Sequence, residues 1–173
     1  MHKGIVRHID SLGRIVIPKE MRRTMNISEN DALEITETAE GLLIRKHSSL
    51  QHNLKTAEKL ARALRAATGK PVAVCDRDNF VFTEGMSGLK GERISQKLRA
   101  LIDTRKASDF SAGQLSLAED GESSHSGFVS PVNLYGDFYG AVLLFGTGES
   151  PVSETDRKLC ALSTEALSRL IGE

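Results

Sequence analysis

The sequence predicts an α+β protein in two parts: a β-rich unit over residues 1–48, then an α/β sandwich with an antiparallel sheet. Three observations predict it. Short β-branched runs, separated by turns containing Gly and Asp, fill the first 47 residues and leave room for one short helix. The remainder reads helix, hairpin, helix, loop, hairpin, helix, an order that lays helices on an antiparallel sheet. Charge is segregated along the first part of the chain, with a basic beginning followed by an acidic stretch.

Gly4 to Ile9 reads as a short strand and Asp10-Ser11-Leu12-Gly13 as a turn, in which Gly13 can take a positive φ. Arg14 to Ile17 is strand-like, and Pro18 stops it. Pro18 suits the first position of a helix, where a missing N–H costs nothing. Lys19 to Met25 is then a short helix presenting Arg22 and Arg23 side by side, ended by Asn26 or Ser28. Ala32 to Thr38 alternates Leu33 and Ile35 with Glu34 and Thr36, and Glu40-Gly41 turns the chain into a strand from Leu42 to His47. A unit of roughly 50 residues buries too little to be stable alone. With no disulfide or metal to staple it, a homodimer pooling two sets of strands is the expected remedy, and two-fold symmetry suits a duplex.

Residues 49–70 form a linking helix rich in Ala and other good helix formers, ended by Thr68-Gly69-Lys70-Pro71. Leu50, Leu54, Ala57, Ala61 and Leu64 make a two-heptad seam. That seam is compatible with coiled-coil packing, and equally with an amphipathic helix laid on its own sheet. Over residues 71–173, Val72 to Asp76 and Phe80 to Glu84 read as a hairpin around Arg77-Asp78-Asn79, and Ser95 to Asp103 as a helix. Thr104 to Ser126 is weakly patterned, with Phe110, Leu115 and Leu117 as anchors. Phe128 to Leu134 and Phe138 to Phe145 form a second hairpin around Tyr135-Gly136-Asp137. The last helix covers residues 153–171, with Ser153 as N-cap and Asp156 completing an approximate capping box.

The whole-chain net charge is zero, but residues 1–23 hold six Lys and Arg against two acids. Residues 26–41 hold five acids and no Lys or Arg. The local patch, not the sum, attracts phosphate. Composition excludes other classes. A 39% hydrophobic content disfavours disorder, and no apolar run approaches the ~20 residues of a membrane span, so no membrane partner is expected. Met1-His2-Lys3-Gly4 leads into a folded pattern rather than a signal peptide, which gives a cytoplasmic expectation. Cys75 and Cys160 have no metal-ligand spacing and read as reduced core thiols.

The run Gly4-Ile-Val-Arg-His-Ile-Asp-Ser-Leu-Gly-Arg-Ile-Val-Ile-Pro18, followed by Glu20, Arg22-Arg23-Thr24, Ile27 and Asp31-Ala-Leu-Glu-Ile35, resembles the AbrB family of transition-state regulators over nearly all of residues 3–47. The resemblance implies an interleaved dimer of swapped hairpins closing a small β-barrel. It also implies that Arg7, Arg14, Arg22 and Arg23 contact double-stranded DNA. Where a further basic residue often follows the first arginine, this chain has His8. Lys3 and Arg7 are expected to position phosphates, and Lys19 to do the same. Arg14, Arg22 and Arg23 carry the planar fork that can bridge guanine or clamp phosphate. Asp10 and Glu20, acids inside the basic patch, read as structural groups that hold the arginines by ion pairs or a turn cap.

The second part is similar to a GAF domain, most clearly in Pro131-Val-Asn-Leu-Tyr-Gly-Asp-Phe-Tyr-Gly-Ala-Val-Leu-Leu-Phe145. Together the two parts resemble sporulation regulators of this architecture. That implies a nucleoid-associated regulator, active in the forespore and assembled as a tetramer of two DNA-binding dimers through helices flanking the GAF-like domains. It implies no cofactor. An unidentified small molecule is the one ligand such a domain would sense, with the least familiar stretch, Ser87 to Ser126, lining its pocket. Two other readings compete. Cys75, His125 and Asp76 or Asp78 could form a nucleophile set, but single residues so dispersed carry almost no specificity. AbrB-like folds also serve as antitoxins with a disordered tail, which the folded pattern of residues 49–173 disfavours.

Overall fold

The computed structural model describes residues 4–25, 27, 29, 31–119, 121, 125–134 and 136–171, and divides into two compact units, residues 1–47 and 48–173.

In the first unit a tight turn at Asp10–Arg14 is followed by helix α1 (Lys19–Thr24) and an antiparallel hairpin of β1 (Leu33–Thr38) and β2 (Gly41–Lys46). Pro18 precedes α1 as its N-cap, one position earlier than expected, with φ −57° already suited to the helix. The helix ends at Thr24; the expected stops Asn26 and Ser28 lie outside the described residues. The hairpin is tied by Arg45 to Glu34 (2.9 Å) and by Lys46 to a largely buried Asp31 carboxylate (3.2 Å). The expected strands at residues 4–9 and 14–17 are a correction: among the described residues these segments join no ladder. A strand needs a neighbour for its amides, and the described residues of this unit pair none with these segments in a ladder.

The second unit opens with α2 (Ser49–His52) and α3 (Leu54–Thr68). The expected single linking helix is therefore broken at Asn53, which serves as C-cap of one piece and N-cap of the next. Gly69, at φ 69°, closes α3 in the left-handed cap that glycine takes without strain. Then follow β3 (Val72–Cys75), β4 (Phe80–Glu84), α4 (Gln96–Asp103), β5 (Ser108–Phe110), β6 (Ser126–Leu134), β7 (Asp137–Gly146) and α5 (Glu154–Ile171). Strand β5 lies in the stretch without a clear pattern. The reciprocal capping box is present, with Ser153 N–H on Asp156 (2.8 Å) and Asp156 N–H on Ser153 Oγ (3.2 Å).

The five strands pair antiparallel in the order β4-β3-β7-β6-β5. Their central members are apolar on both faces because both faces are covered. Val72, Val74, Val142 and Leu144 face α3 and α5, with Ala57, Ala61, Leu64, Cys160 and Leu167. Ala73, Cys75, Ala141, Leu143 and Phe145 face a second layer made by Leu98 and Ile102 of α4 with Ile94, Phe110, Leu115 and Leu117. Of the heptad seam, Leu50, Ala57, Ala61 and Leu64 are buried in this unit's own core. No helix among the described residues is long and apolar enough to cross a membrane.

Candidate nucleic-acid interface

Apart from Arg45 and Lys46 on β2, the described Lys and Arg residues of the first unit lie around its turn and on α1. Arg7 and His8 lie on the exposed run into the turn, and an Arg7 Nη1–H donates to the Val6 carbonyl (3.2 Å). Arg14 leaves the turn with a side chain 72% exposed. Lys19, Arg22 and Arg23 are exposed on α1, a helix with no buried residue. Arg22 and Arg23 fall in its last turn and Glu20 in its first, each at the end where the helix dipole favours its charge. Lys3, also expected to contact phosphate, lies outside the described residues.

Asp10 organises the turn. Its Oδ1 accepts from the Leu12 N–H (2.9 Å) and the Arg14 N–H (2.8 Å), and its Oδ2 from Arg14 Nε (2.7 Å). Asp10 N–H donates to the Arg14 carbonyl (3.1 Å), and Gly13 N–H to the Asp10 carbonyl (3.0 Å) with Gly13 at φ 77°. A side chain at Gly13 would strain that left-handed backbone. The Arg14 amide, then its guanidinium, hold the Asp10 carboxyl below its ordinary range, so it stays charged. Both the turn cap and the ion pair expected of Asp10 are therefore present. For Glu20 the structure supplies a helix-end position instead, with its carbonyl accepting from Thr24 Oγ1 (2.9 Å).

The apolar residues beside these charges are unusually bare. Ile5, Val6, Ile9, Leu12, Ile15 and Val16 are 51–81% exposed in the single chain. Exposed apolar surface this continuous marks an interaction face.

In the second unit the surroundings of Cys75 and His125 do not make a nucleophile set. Burial, then the neighbouring Asp76 charge, push the Cys75 thiol up to about 12, so it carries no thiolate near neutral pH. His125 stacks edge-on against Phe145 (5.6 Å). Asp76 has a structural role that the sequence reading did not single out. Its buried carboxylate accepts from the Asp78 and Asn79 amides (2.8 Å each), from Gln51 Nε2 (2.7 Å) and from Ser48 Oγ (3.2 Å). The Asp-x-Asp-Asn run signals the turn half of this set, since Asp caps amides two and three residues on. Nothing local signals the α2 half.

Comparison with known proteins defines the class first. Residues 54–172 match the family described as "Stage V sporulation protein T C-terminal, transcription factor", and residues 6–51 match "Antidote-toxin recognition MazE, bacterial antitoxin". The chain belongs to the stage V sporulation protein T family, a family of transcription regulators and not of enzymes. Among individual proteins it is 36% identical to stage V sporulation protein T of Bacillus subtilis (strain 168) over 172 residues, covering 96% of each chain. It is 45% identical over 69 residues to the transition state regulatory protein AbrB of the same organism, covering 40% of this chain and 72% of that one. In fold it is similar to a GAF domain/HD domain protein from Geobacter sulfurreducens, with a TM-score of 0.53, 16% identity, and coverage of 68% of this chain and 90% of the other. An AbrB-like N-terminal domain followed by a GAF-like domain is thus the architecture.

Proposed function

We propose that the chain is a sequence-specific DNA-binding regulator of sporulation genes, binding as a dimer through its first unit. The observation that carries this reading is the pairing, in one small unit, of exposed arginines with a bare apolar run. Arg14, Arg22 and Arg23 contact DNA; Arg7, Lys3 and Lys19 position phosphates; His8 stands where a further basic contact would fall. The apolar run supplies the swapped-hairpin interface, and a second copy supplies the ladder partners that residues 4–9 and 14–17 lack. Full-length similarity to a stage V sporulation protein T supports the biological role. The GAF-like domain fixes the geometry between two dimers, giving a tetramer. The stretch Ser87 to Ser126 is where small-ligand sensing belongs. A thermal-shift screen with metabolites tests the sensing role.

DNA binding by fluorescence anisotropy across a salt series tests the reading itself. Wild type should lose affinity with a log–log slope of roughly −0.9 per phosphate neutralised. A chain carrying Arg14→Ala, Arg22→Ala and Arg23→Ala should bind at least tenfold more weakly, on the order of one lost arginine contact or more, with a shallower slope. Equal binding by both chains would remove the arginines from the interface.

The match of residues 6–51 to an antitoxin family favours one second reading, a toxin-neutralising partner module. Limited proteolysis separates the two. A tail used for neutralisation is digested early, whereas a folded GAF-like domain persists as a stable fragment beginning near residue 48.

A further inference from the structure

Asp10 is an acid inside the basic N-terminal stretch, where by charge alone it opposes DNA binding. Its geometry offers a reason for its presence. Five hydrogen bonds close the Asp10–Arg14 turn, all with Asp10 as one partner, and one of them takes the Arg14 side chain at Nε rather than at its tip. A guanidinium held at Nε keeps its outer Nη1–Nη2 edge for a bidentate partner. An unpinned arginine on a surface turn swings toward whichever phosphate is nearest and reads no sequence. A pinned one presents a fixed fork, which rewards a guanine edge in register. We propose that Asp10 is a specificity-determining residue of the DNA surface, orienting Arg14 so that discrimination between sequences rises while affinity for DNA in general falls. The inference rests on the reading of the first unit as the DNA interface.

The Asp10→Asn substitution isolates this role from turn formation. The Asn Oδ1 still caps the Leu12 and Arg14 amides, as Asn does in such turns, but an amide NH2 replaces the oxygen facing Arg14 Nε. Asp10→Glu keeps the charge and displaces it by one methylene. The full chain and its Asp10→Asn, Asp10→Glu, Arg14→Ala and Asp10→Asn/Arg14→Ala variants are titrated against two duplexes. One is selected by the wild-type chain from a randomised pool; the other is a scrambled duplex of the same composition. Far-UV circular dichroism confirms that each variant is folded. In Asp10→Asn the scrambled duplex should bind more tightly with a steeper salt slope, and the selected-to-scrambled affinity ratio should fall by about tenfold. Asp10→Glu should lose the ratio without the gain in general affinity. In the Arg14→Ala background, Asp10→Asn should no longer change the ratio. Equal weakening on both duplexes, or a ratio change that survives in the Arg14→Ala background, overturns the proposal. An Arg14→Ala chain that binds both duplexes like wild type overturns the underlying interface reading as well.

Discussion

Cys75 and Cys160 sit on opposite faces of the sheet, one in each core layer, and burial raises both thiols to about 12. Two consequences follow from that common cause. A disulfide reagent at pH 8 should leave the native chain unmodified over minutes and label two thiols once urea unfolds it; rapid native labelling of either would contradict the packing. The pH dependence has a definite sign. A thiol whose folded value lies above its unfolded value of 9.0 contributes stability that is intact below pH 9 and is lost as pH rises toward about 12. The urea midpoint of the second unit should therefore fall between pH 9 and 11, and fall less in a Cys160→Ala chain than in wild type. Asp10 and Asp76 show how one carboxylate serves two purposes. Each caps local amides and also holds a side chain, Arg14 in the first case and Gln51 in the second. The local half of each role is written in the spacing of the turn. The other half is local too for Asp10, whose partner Arg14 is in the same turn, whereas for Asp76 it depends on the fold bringing Gln51.

At the scale of elements, α5 shows a cap, a buried face and an exposed face that arise separately. Its start depends on Ser153 and Asp156 satisfying amides that have no partner inside the helix. Asp has a shorter reach than the Glu usual at this position, and the box closes nonetheless. Ser153→Ala should cost about 1 kcal/mol, read as a lower urea midpoint for the second unit with unchanged DNA affinity; an unchanged midpoint would show that the cap contributes nothing. Helix α3 carries the opposite lesson. Its seam of Leu54, Ala57, Ala61 and Leu64 fits a partner helix and a sheet equally well by period. The Val72–Cys75 strand, following after one tight turn, claims the seam first because a short connection brings it back onto the helix. Strand β5 is short and lies at the sheet edge, with Asp109 exposed and paired to Arg157 (2.9 Å). Three residues of which one is charged give no alternation to read.

At the scale of the molecule, the two units solve the burial problem differently. The second covers both faces of a five-stranded sheet with its own helices and loops. The first leaves Val16 75% exposed beside other bare apolar side chains, and no rearrangement within so few residues could cover them all. A dimeric first unit makes its melting transition depend on chain concentration, whereas an intramolecular core does not. Val16→Asp in the full chain should lower that first transition and abolish DNA binding while the second unit melts as before. If both transitions and DNA binding were unaffected, the apolar run would not be an interface.

Local patterning accounts for much of this protein. The order of elements, the turn at Asp10–Gly13, both hairpins of the second unit, the start and end of α5 and the concentration of arginines at the N-terminus all follow from residues within a few positions of one another. Hydrogen bonding and periodicity act at that range, so the chain records them directly. The place of β3 beside β7 joins Val72 to Leu144, and the Gln51–Asp76 contact joins residues 25 apart in sequence; the α3 seam is buried against strands and a helix that follow it in the sequence. Those pairings are chosen by competition among apolar surfaces of similar composition, and only their packing together settles which surface each one covers.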